Sequence, residues 1–288
     1  MIFKIRWVFI FIFICFDSIL IGHSYPYYEL CASVPIDSDL KILETLNGKI
    51  QGECYTVPVK KSDDTIIKND VFSFLSVPYA LPPIAENRFK RPLPVNSWQE
   101  ILDGKKWPNS CMQIVGPINS DIANLSEDCL YLNVFVPSKV FLNKDRIHDT
   151  PILVFIHGGG LTIGSSVSDW YEPSTLVSLS EIIVITINYR LDYLGLLYLE
   201  DTDATGNQAL LDQTLALEWI YENAHTFGGD KNKITVSGES AGAISIGFHL
   251  FYPKSWPYFR NAIMQSGTPL MKCKFWINNF LLPLKLII

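Results

Sequence analysis

Four short runs of apolar residues in the middle of the chain share one pattern. Each run is continuous rather than alternating and is rich in β-branched residues, and the runs cover residues 130–136, 152–156, 182–187 and 234–236. Unbroken runs of this length are typical of strands that are buried on both faces, as in a mainly parallel sheet. The pattern therefore predicts four strands of such a sheet.

A stretch with helical periodicity separates the last two runs. Within residues 207–227, Leu211, Leu215 and Trp219 fall on one side of a helix, and Gly228 follows as a stop signal. A strand, a helix and a second strand form a βαβ unit, and right-handed units of this kind build a doubly wound sheet. The predicted fold class is therefore α/β, with a mainly parallel, doubly wound sheet.

The segment before these runs is predicted to be less regular. Residues 43–77 alternate short apolar runs with turn signals such as Asn47-Gly48, which indicates small hairpins near an edge of the sheet. Residues 78–94 contain five prolines, and this density favours extended, irregular chain.

The N-terminal residues have the composition of a secretory signal. A basic start precedes an apolar stretch at residues 7–16, and Ser24 provides a small residue for cleavage. Asp17 interrupts the apolar stretch well before the ~20 residues that a membrane-spanning helix needs, so cleavage is favoured over a membrane anchor. We therefore predict a signal peptide at residues 1–24, a secreted protein, and no integral membrane span after cleavage.

Secretion would place the remaining cysteines in an oxidising compartment. Cys15 leaves with the signal peptide, and the five cysteines that remain are an odd number, so at least one has no partner within the chain. Asn124 begins an Asn-Leu-Ser sequon, and a sugar attached there would lie on a surface loop.

Charge argues against two classes of partner. The formal net charge is −6, and the charged residues, 18% of the chain, are of both signs and interspersed. No basic stripe is present of the kind that attracts nucleic acid or an anionic membrane surface. Neither is expected as a partner.

Candidate chemistry follows directly on the last predicted strand. Residues 234–236 lead into a Gly-x-Ser-x-Gly sequence centred on Ser240, and an apolar, helix-compatible stretch follows at residues 243–251. This is the strand–turn–helix context of a nucleophile elbow, in which the glycines allow the strand and the helix to approach closely. The N-terminus of the helix would direct its free N–H groups towards an oxyanion beside Ser240.

A second segment with a related role follows an earlier strand. His157 and the three glycines at residues 158–160 come after the predicted strand at residues 152–156. A glycine run there lets backbone N–H groups stabilise the negative oxygen of a tetrahedral intermediate, by roughly 3–4 kcal/mol per donor. Either segment alone is often a tight turn, but the two in this order predict a serine hydrolase.

These motifs resemble those of the type-B carboxylesterases and cholinesterases of the α/β-hydrolase superfamily. The resemblance is collinear and rests on residues 127–137, 157–160, 188–190, 206–213, 227–230, 238–242 and 259–267. It implies the α/β-hydrolase fold, in an N-terminal portion that stops after the elbow helix and the next strand. The implied division is an N-terminal segment at 25–42, a carboxylesterase domain at 43–270 and a divergent tail at 271–288.

The resemblance implies roles for five residues. Ser240 is the nucleophile that attacks the ester carbonyl. The backbone amides of Gly159, Gly160 and Ala241 form the oxyanion hole. Glu239 matches a carboxylate that lines the pocket beside the acyl centre, with a solvated charge at the elbow as the alternative. The implied substrate is a small-molecule ester, and no cofactor or metal is expected.

The resemblance also implies a disulfide between Cys111 and Cys129. Closing this loop would stabilise the fold by roughly 3 kcal/mol on the chain-entropy estimate. Cys31, Cys54 and Cys273 have no assigned partners.

The sequence after Ser240 lacks the other members of a catalytic triad. In α/β-hydrolases an acid and then a histidine follow the serine, but here the only later histidine is His249 and no acid follows. His249 would lie ~13 Å from Ser240 along a helix, too far to accept its proton. The family pattern ends near Pro269, so we interpret the chain as a truncated form and predict that it is inactive.

The resemblance leaves the substrate and one rival function open. Cholinesterases carry a tryptophan that stacks on the quaternary ammonium, but residues 112–128 contain no aromatic residue, which favours a general carboxylesterase. The rival is a non-catalytic adhesion or binding protein, a role that cholinesterase-like domains have in neuroligins. The retained Ser240 favours the esterase.

Overall fold

The computed structural model describes residues 28–270, except 33, 36–38, 123 and 144–148. The predicted signal peptide at 1–24 and the predicted tail at 271–288 lie outside the described residues, as does Cys273. The helices and strands below are those of the described residues.

Thirteen strands are found among the described residues. They are β1 (Glu29–Leu30), β2 (Ile42–Glu44), β3 (Lys49–Gln51), β4 (Glu53–Lys60), β5 (Ile66–Pro78), β6 (Leu102–Asp103), β7 (Ser110–Cys111), β8 (Leu125–Ser126), β9 (Tyr131–Pro137), β10 (Thr150–Ile156), β11 (Ile183–Ile187), β12 (Gly229–Glu239) and β13 (Asn261–Gln265). The α-helices are α1 (Ser138–Phe141), α2 (Ser174–Ser180), α3 (Asp192–Leu196), α4 (Gln208–Asn223) and α5 (Ala241–Phe251). Short 3₁₀ turns lie at Asp39–Lys41, Ala85–Asn87, Pro117–Asn119, Asp169–Tyr171, Ala224–Phe227 and Pro253–Tyr258.

Eight strands form one sheet in the order β1-β4-β5-β9-β11-β10-β12-β13. Strands β11, β10, β12 and β13 are parallel to one another, whereas the pairs β1–β4, β4–β5, β5–β9 and β9–β11 are antiparallel. Strands β4 and β5 are antiparallel because a short connection at residues 61–65 joins them, and neighbouring strands joined in this way must reverse direction. The predicted α/β fold is confirmed, and the hairpins predicted near the edge of the sheet are present.

The parallel half has the connectivity that the sequence predicts. Helix α4 joins β11 to β12, and these two strands lie on either side of β10. Gly228 ends the helical segment at φ 88°, a left-handed conformation that favours glycine. The four apolar runs at residues 130–136, 152–156, 182–187 and 234–236 all become strands, as predicted.

The sheet is buried on both faces, which explains why its strands are continuously apolar. In β11, Ile183, Ile185 and Ile187 pack into the main core, whereas the intervening Val184 packs into a second cluster. Helix α4 covers the main core with Leu217 and neighbouring apolar residues. Side chains that alternate between two cores fix the strand register, because a one-residue slip would exchange the faces.

The architecture places the candidate chemistry at one edge of the sheet. The carboxyl ends of parallel strands share an edge, so the glycine segment after β10 and Ser240 after β12 meet there. Ile156, the last residue of β10, pairs with Gly238 near the end of β12.

Two disulfides tie down peripheral segments. Cys31 is bonded to Cys54, and Cys111 is bonded to Cys129. The first attaches the N-terminal segment to β4, and the second closes a loop beside the glycine segment. Among the described residues, no helix has the length and apolar character needed to cross a membrane.

Candidate active site

Ser240 occupies a strained turn between β12 and α5. Its backbone has φ 51° and ψ −117°, a region that residues other than glycine rarely adopt, at a cost of about 1–3 kcal/mol. The Ser240 N–H donates to the carbonyl of Gln265 at 2.8 Å, and the Ser240 carbonyl accepts from Ile244 at 3.0 Å. These two bonds attach the turn to β13 and to the first turn of α5, so the strained conformation is held on both sides.

Close packing explains the glycines on either side of Ser240. A Cβ added at Gly242 would lie 2.0 Å from the carbonyl oxygen of Ile156, at the end of β10. A Cβ added at Gly238 would lie 2.7 Å from the backbone of Gly242. Both contacts are with backbone, which cannot move aside cheaply, so the close approach of strand and helix depends on the missing side chains.

The glycine segment after β10 passes directly beside the serine. A Cβ added at Gly158 would lie 3.2 Å from Cβ of Ser240 and 2.6 Å from a carboxylate oxygen of Glu239. A buried hydrogen bond holds the start of this segment, because the hydroxyl of Tyr189 donates to the carbonyl of His157 at 2.8 Å. The structure thus brings together two motifs that are far apart in the sequence, since Gly160 and Ser240 are separated by 80 positions.

The predicted oxyanion hole consists of the backbone N–H groups of Gly159, Gly160 and Ala241. In the described part of the chain, no acceptor is found for the N–H groups of Gly159 and Gly160. Ala241 is the first residue of α5, and the first N–H groups of a helix have no partner within it. Gly159 is half-buried and Gly160 is exposed, so a ligand can reach this edge.

Glu239 lies half-buried beside the glycine segment. Burial raises the pKa of its carboxyl above the usual value. The Glu239 charge also acts on the Tyr171 hydroxyl. Burial, and after it the Glu239 charge, raise the pKa of Tyr171. The Glu239 carboxyl therefore lies beside Gly158 and close enough to Tyr171 to affect its pKa.

His157 and His249 are both buried and occupied elsewhere, so neither is placed to deprotonate Ser240. His157 stacks on Tyr189 at 4.3 Å between ring centroids, and its Nδ1 lies 2.8 Å from the carbonyl oxygen of Gly158. His249 is bonded through Nε2 to Gln213 at 2.9 Å and through Nδ1 to Ser255 at 3.0 Å. Burial lowers the pKa of each histidine to about 4.

The remaining described histidine is also remote from Ser240. His225 is exposed and precedes β12, whereas Ser240 follows it, so the length of an eleven-residue strand, roughly 30 Å, separates them. Within residues 28–270, apart from the gaps given above, no histidine side chain is placed to act as the base for Ser240.

Sequence reasoning missed one residue that contacts this site. The side-chain amide of Gln113, in the Cys111–Cys129 loop, makes two hydrogen bonds to the backbone of Gly164. The available signal was its place two residues after Cys111, in the loop that the implied Cys111–Cys129 disulfide closes. Nothing in the sequence indicated its partner, which is 51 residues away.

Asn124, the predicted glycosylation site, is exposed. Its backbone has φ 55°, a conformation that asparagine tolerates better than most residues. The Asn124 carbonyl accepts a hydrogen bond from Ser110 at 3.1 Å, so backbone pairing holds this position while the side chain lies at the surface.

Comparison with known proteins agrees with this geometry. The sequence model of the carboxylesterase family matches residues 39–279. The chain belongs to the carboxylesterase family. This membership accounts for the α/β-hydrolase arrangement of β10, β12 and α5 around Ser240.

Similar members of the carboxylesterase family are acetylcholinesterases. The chain is 40% identical to that of Electrophorus electricus over 243 residues, which cover 81% of this chain and 36% of the relative. It is 40% identical to that of Danio rerio over 238 residues, 79% of this chain and 36% of the relative. It is 35% identical to that of Leptinotarsa decemlineata over 282 residues, 89% of this chain and 43% of the relative.

The chain therefore spans well under half of the length of these relatives.

Proposed function

We propose that the chain is the nucleophile-bearing part of a secreted serine carboxylesterase. The observation that carries this proposal is the position of Ser240 on a strained elbow, with the glycine segment packed beside it. A strained serine next to unpaired backbone donors has no evident role in packing, whereas acyl transfer requires this combination.

In the proposed reaction, Ser240 Oγ attacks the ester carbonyl while a base removes its proton. The carbonyl oxygen becomes negative and is stabilised by the N–H groups of Gly159, Gly160 and Ala241. The C–O bond to the alcohol then breaks, the alcohol leaves with the proton, and an acyl group remains on Ser240. Water then attacks the acyl carbon, the bond from that carbon to Oγ breaks, the carboxylic acid leaves, and Oγ regains a proton.

The proposed base and its supporting acid lie outside the described residues. A serine hydroxyl is a weak nucleophile without a histidine, and the histidine requires a carboxylate to fix its tautomer. His249 uses both ring nitrogens in other contacts, and His157 uses Nδ1. We therefore expect the 288-residue chain to hydrolyse esters no faster than an unrelated protein.

For the substrate we propose a small carboxylic ester without a quaternary ammonium group. The relatives are named acetylcholinesterases, but residues 112–128 of this chain contain no aromatic side chain to stack on such a cation. Secretion is proposed from the signal-like residues 1–24, and the two disulfides agree with an oxidising compartment.

The proposal is tested by supplying the missing part of the catalytic unit. In the extended chain, residues 271–288 are replaced by the C-terminal portion of the Electrophorus electricus relative. We expect this protein to hydrolyse p-nitrophenyl acetate with turnover that the 288-residue chain lacks. Initial rates of nitrophenolate release, measured for both proteins at equal concentration, provide the comparison.

The control is a variant of the extended chain without the serine hydroxyl, Ser240→Ala. An extended chain that is folded by circular dichroism, yet no more active than this control, would refute the esterase proposal and favour a non-catalytic binding role. If hydrolysis depends on Ser240, a binding role cannot be the protein's only function.

A further inference from the structure

The glycine segment beside Ser240 is held by a side chain from the disulfide loop. The Gly164 N–H donates to Oε1 of Gln113 at 2.7 Å, and Nε2 of Gln113 donates to the Gly164 carbonyl at 2.8 Å. One carboxamide thus satisfies both polar groups of one backbone residue, as a neighbouring β-strand would.

The orientation of Gln113 is fixed from within its own loop. Nε2 of Gln113 also donates to the Cys111 carbonyl at 3.0 Å, and Oε1 accepts from Nδ2 of Asn119 at 2.9 Å. Asn119 is anchored in turn, because its Oδ1 accepts from the Gly116 N–H at 2.7 Å. The Cys111–Cys129 disulfide closes this loop, so the amide is held at its base as well as at its tip.

Gly164 is coupled to the oxyanion donors through one closed turn. The N–H groups of Thr162 and Ile163 both donate to the Gly159 carbonyl, at 3.1 and 3.0 Å. Gly159 has φ 102°, and a Cβ there would lie 2.2 Å from the Ile163 carbonyl oxygen. The turn that contains the N–H groups of Gly159 and Gly160 therefore closes at Ile163, and Gln113 holds the next residue, Gly164.

We propose that Gln113 is a positioning residue of the oxyanion hole. Its carboxamide fixes the peptide planes of Gly164 and thereby the direction of the N–H groups at the start of the turn. This rests on the proposed function, because a positioned oxyanion hole has a use only in acyl transfer. Displacing a catalytic group by about 1 Å lowers the reaction rate roughly 10²-fold, so loss of a single anchoring side chain should lower the rate substantially.

The first test measures hydrogen exchange in the 288-residue chain. In Gln113→Ala, amides in a peptide covering residues 159–164 should exchange at least about tenfold faster, because two hydrogen bonds that hold Gly164 are lost. Gln113→Glu keeps the acceptor for the Gly164 N–H but loses the donor, so it should lie between wild type and Gln113→Ala. Ile114→Ala is the matched control, because this neighbouring side chain is 81% exposed.

Unchanged exchange in residues 159–164 for both Gln113 variants would overturn the proposal. So would an equal increase throughout the protein in Gln113→Glu, since that would show a general loss of stability. The proposal is supported if exchange rises only in residues 159–164, and if it is slowest in wild type, faster in Gln113→Glu and fastest in Gln113→Ala.

The second test measures kinetics in the extended chain. Gln113→Ala should lower kcat roughly 10²-fold while KM changes less than about threefold, because the oxyanion forms only in the transition state. A rise in KM at constant kcat would contradict a role in the oxyanion hole. If the extended chain has no Ser240-dependent activity, the proposed function fails, and the exchange result still decides whether Gln113 holds the turn.

Discussion

Replacing Ser240 by alanine in the extended chain is expected to abolish ester hydrolysis without unfolding the protein. The hydroxyl forms the acyl-enzyme, and loss of the nucleophile from a serine hydrolase such as subtilisin lowers kcat by about 10⁶-fold. Alanine keeps the Cβ and hence the strained backbone, so stability should change by less than about 0.5 kcal/mol. Initial rates with p-nitrophenyl acetate and denaturant unfolding of the same preparations measure the two effects.

A glycine at the same position separates catalysis from strain. Ser240 has φ 51° and ψ −117°, and glycine adopts such angles without a steric penalty. Ser240→Gly should therefore be as inactive as Ser240→Ala, yet more stable by about 1 kcal/mol in the 288-residue chain. Hydrolysis by either variant at more than a small fraction of the wild-type rate would show that Ser240 is not the nucleophile.

Acid is expected to destabilise the fold through its two buried histidines. Burial lowers the pKa of His157 and of His249 to about 4, whereas an unfolded chain has histidines near pKa ~6.5. Between these values the unfolded state binds more protons, so stability falls as the pH falls and is fully present only above about pH 6.5. From pH 7 to pH 5 each histidine should remove about 2 kcal/mol, or about 4 kcal/mol together.

Chemical denaturation of the 288-residue chain at pH 7 and at pH 5 measures this loss. His249→Gln should remove about half of the difference between the two pH values, although its stability at pH 7 is lower because the bonds to Gln213 and Ser255 are weakened. His225→Gln, a change at an exposed position, is the matched control and should behave as wild type. Equal stability of the wild-type chain at pH 7 and pH 5 would contradict burial of these two rings.

The parts of the fold that could be predicted are those that depend on local sequence. Continuous apolar runs predicted β9, β10, β11 and β12, because a strand that is buried on both faces has apolar residues at successive positions. The helix at residues 207–227 was predicted from its periodicity and its glycine stop, and the structure has α4 followed by a 3₁₀ turn there. The elbow was predicted from glycines whose positions are dictated by close backbone contacts.

What could not be predicted depends on contacts between distant residues. Five cysteines allow many pairings, so the bond between Cys31 and Cys54 had no basis in the sequence, and the Cys111–Cys129 pairing came from family resemblance. The antiparallel strands of the sheet depend on which neighbours β5 and β9 find, which hydropathy does not encode. The contact between Gln113 and Gly164 joins two loops, and loops carry no periodic signal.

We propose that this chain supplies the nucleophile and the oxyanion hole, whereas no described histidine is placed as a base beside Ser240. The most direct test mixes the purified 288-residue chain with p-nitrophenyl acetate and follows nitrophenolate release from the first turnover, with mass analysis of the peptide that contains Ser240. We predict no burst, no acetyl group on Ser240, and a rate equal to that of Ser240→Ala. A burst approaching one equivalent, with the acetyl group on Ser240, would contradict the claim, because it would require a base among the residues that this chain contains.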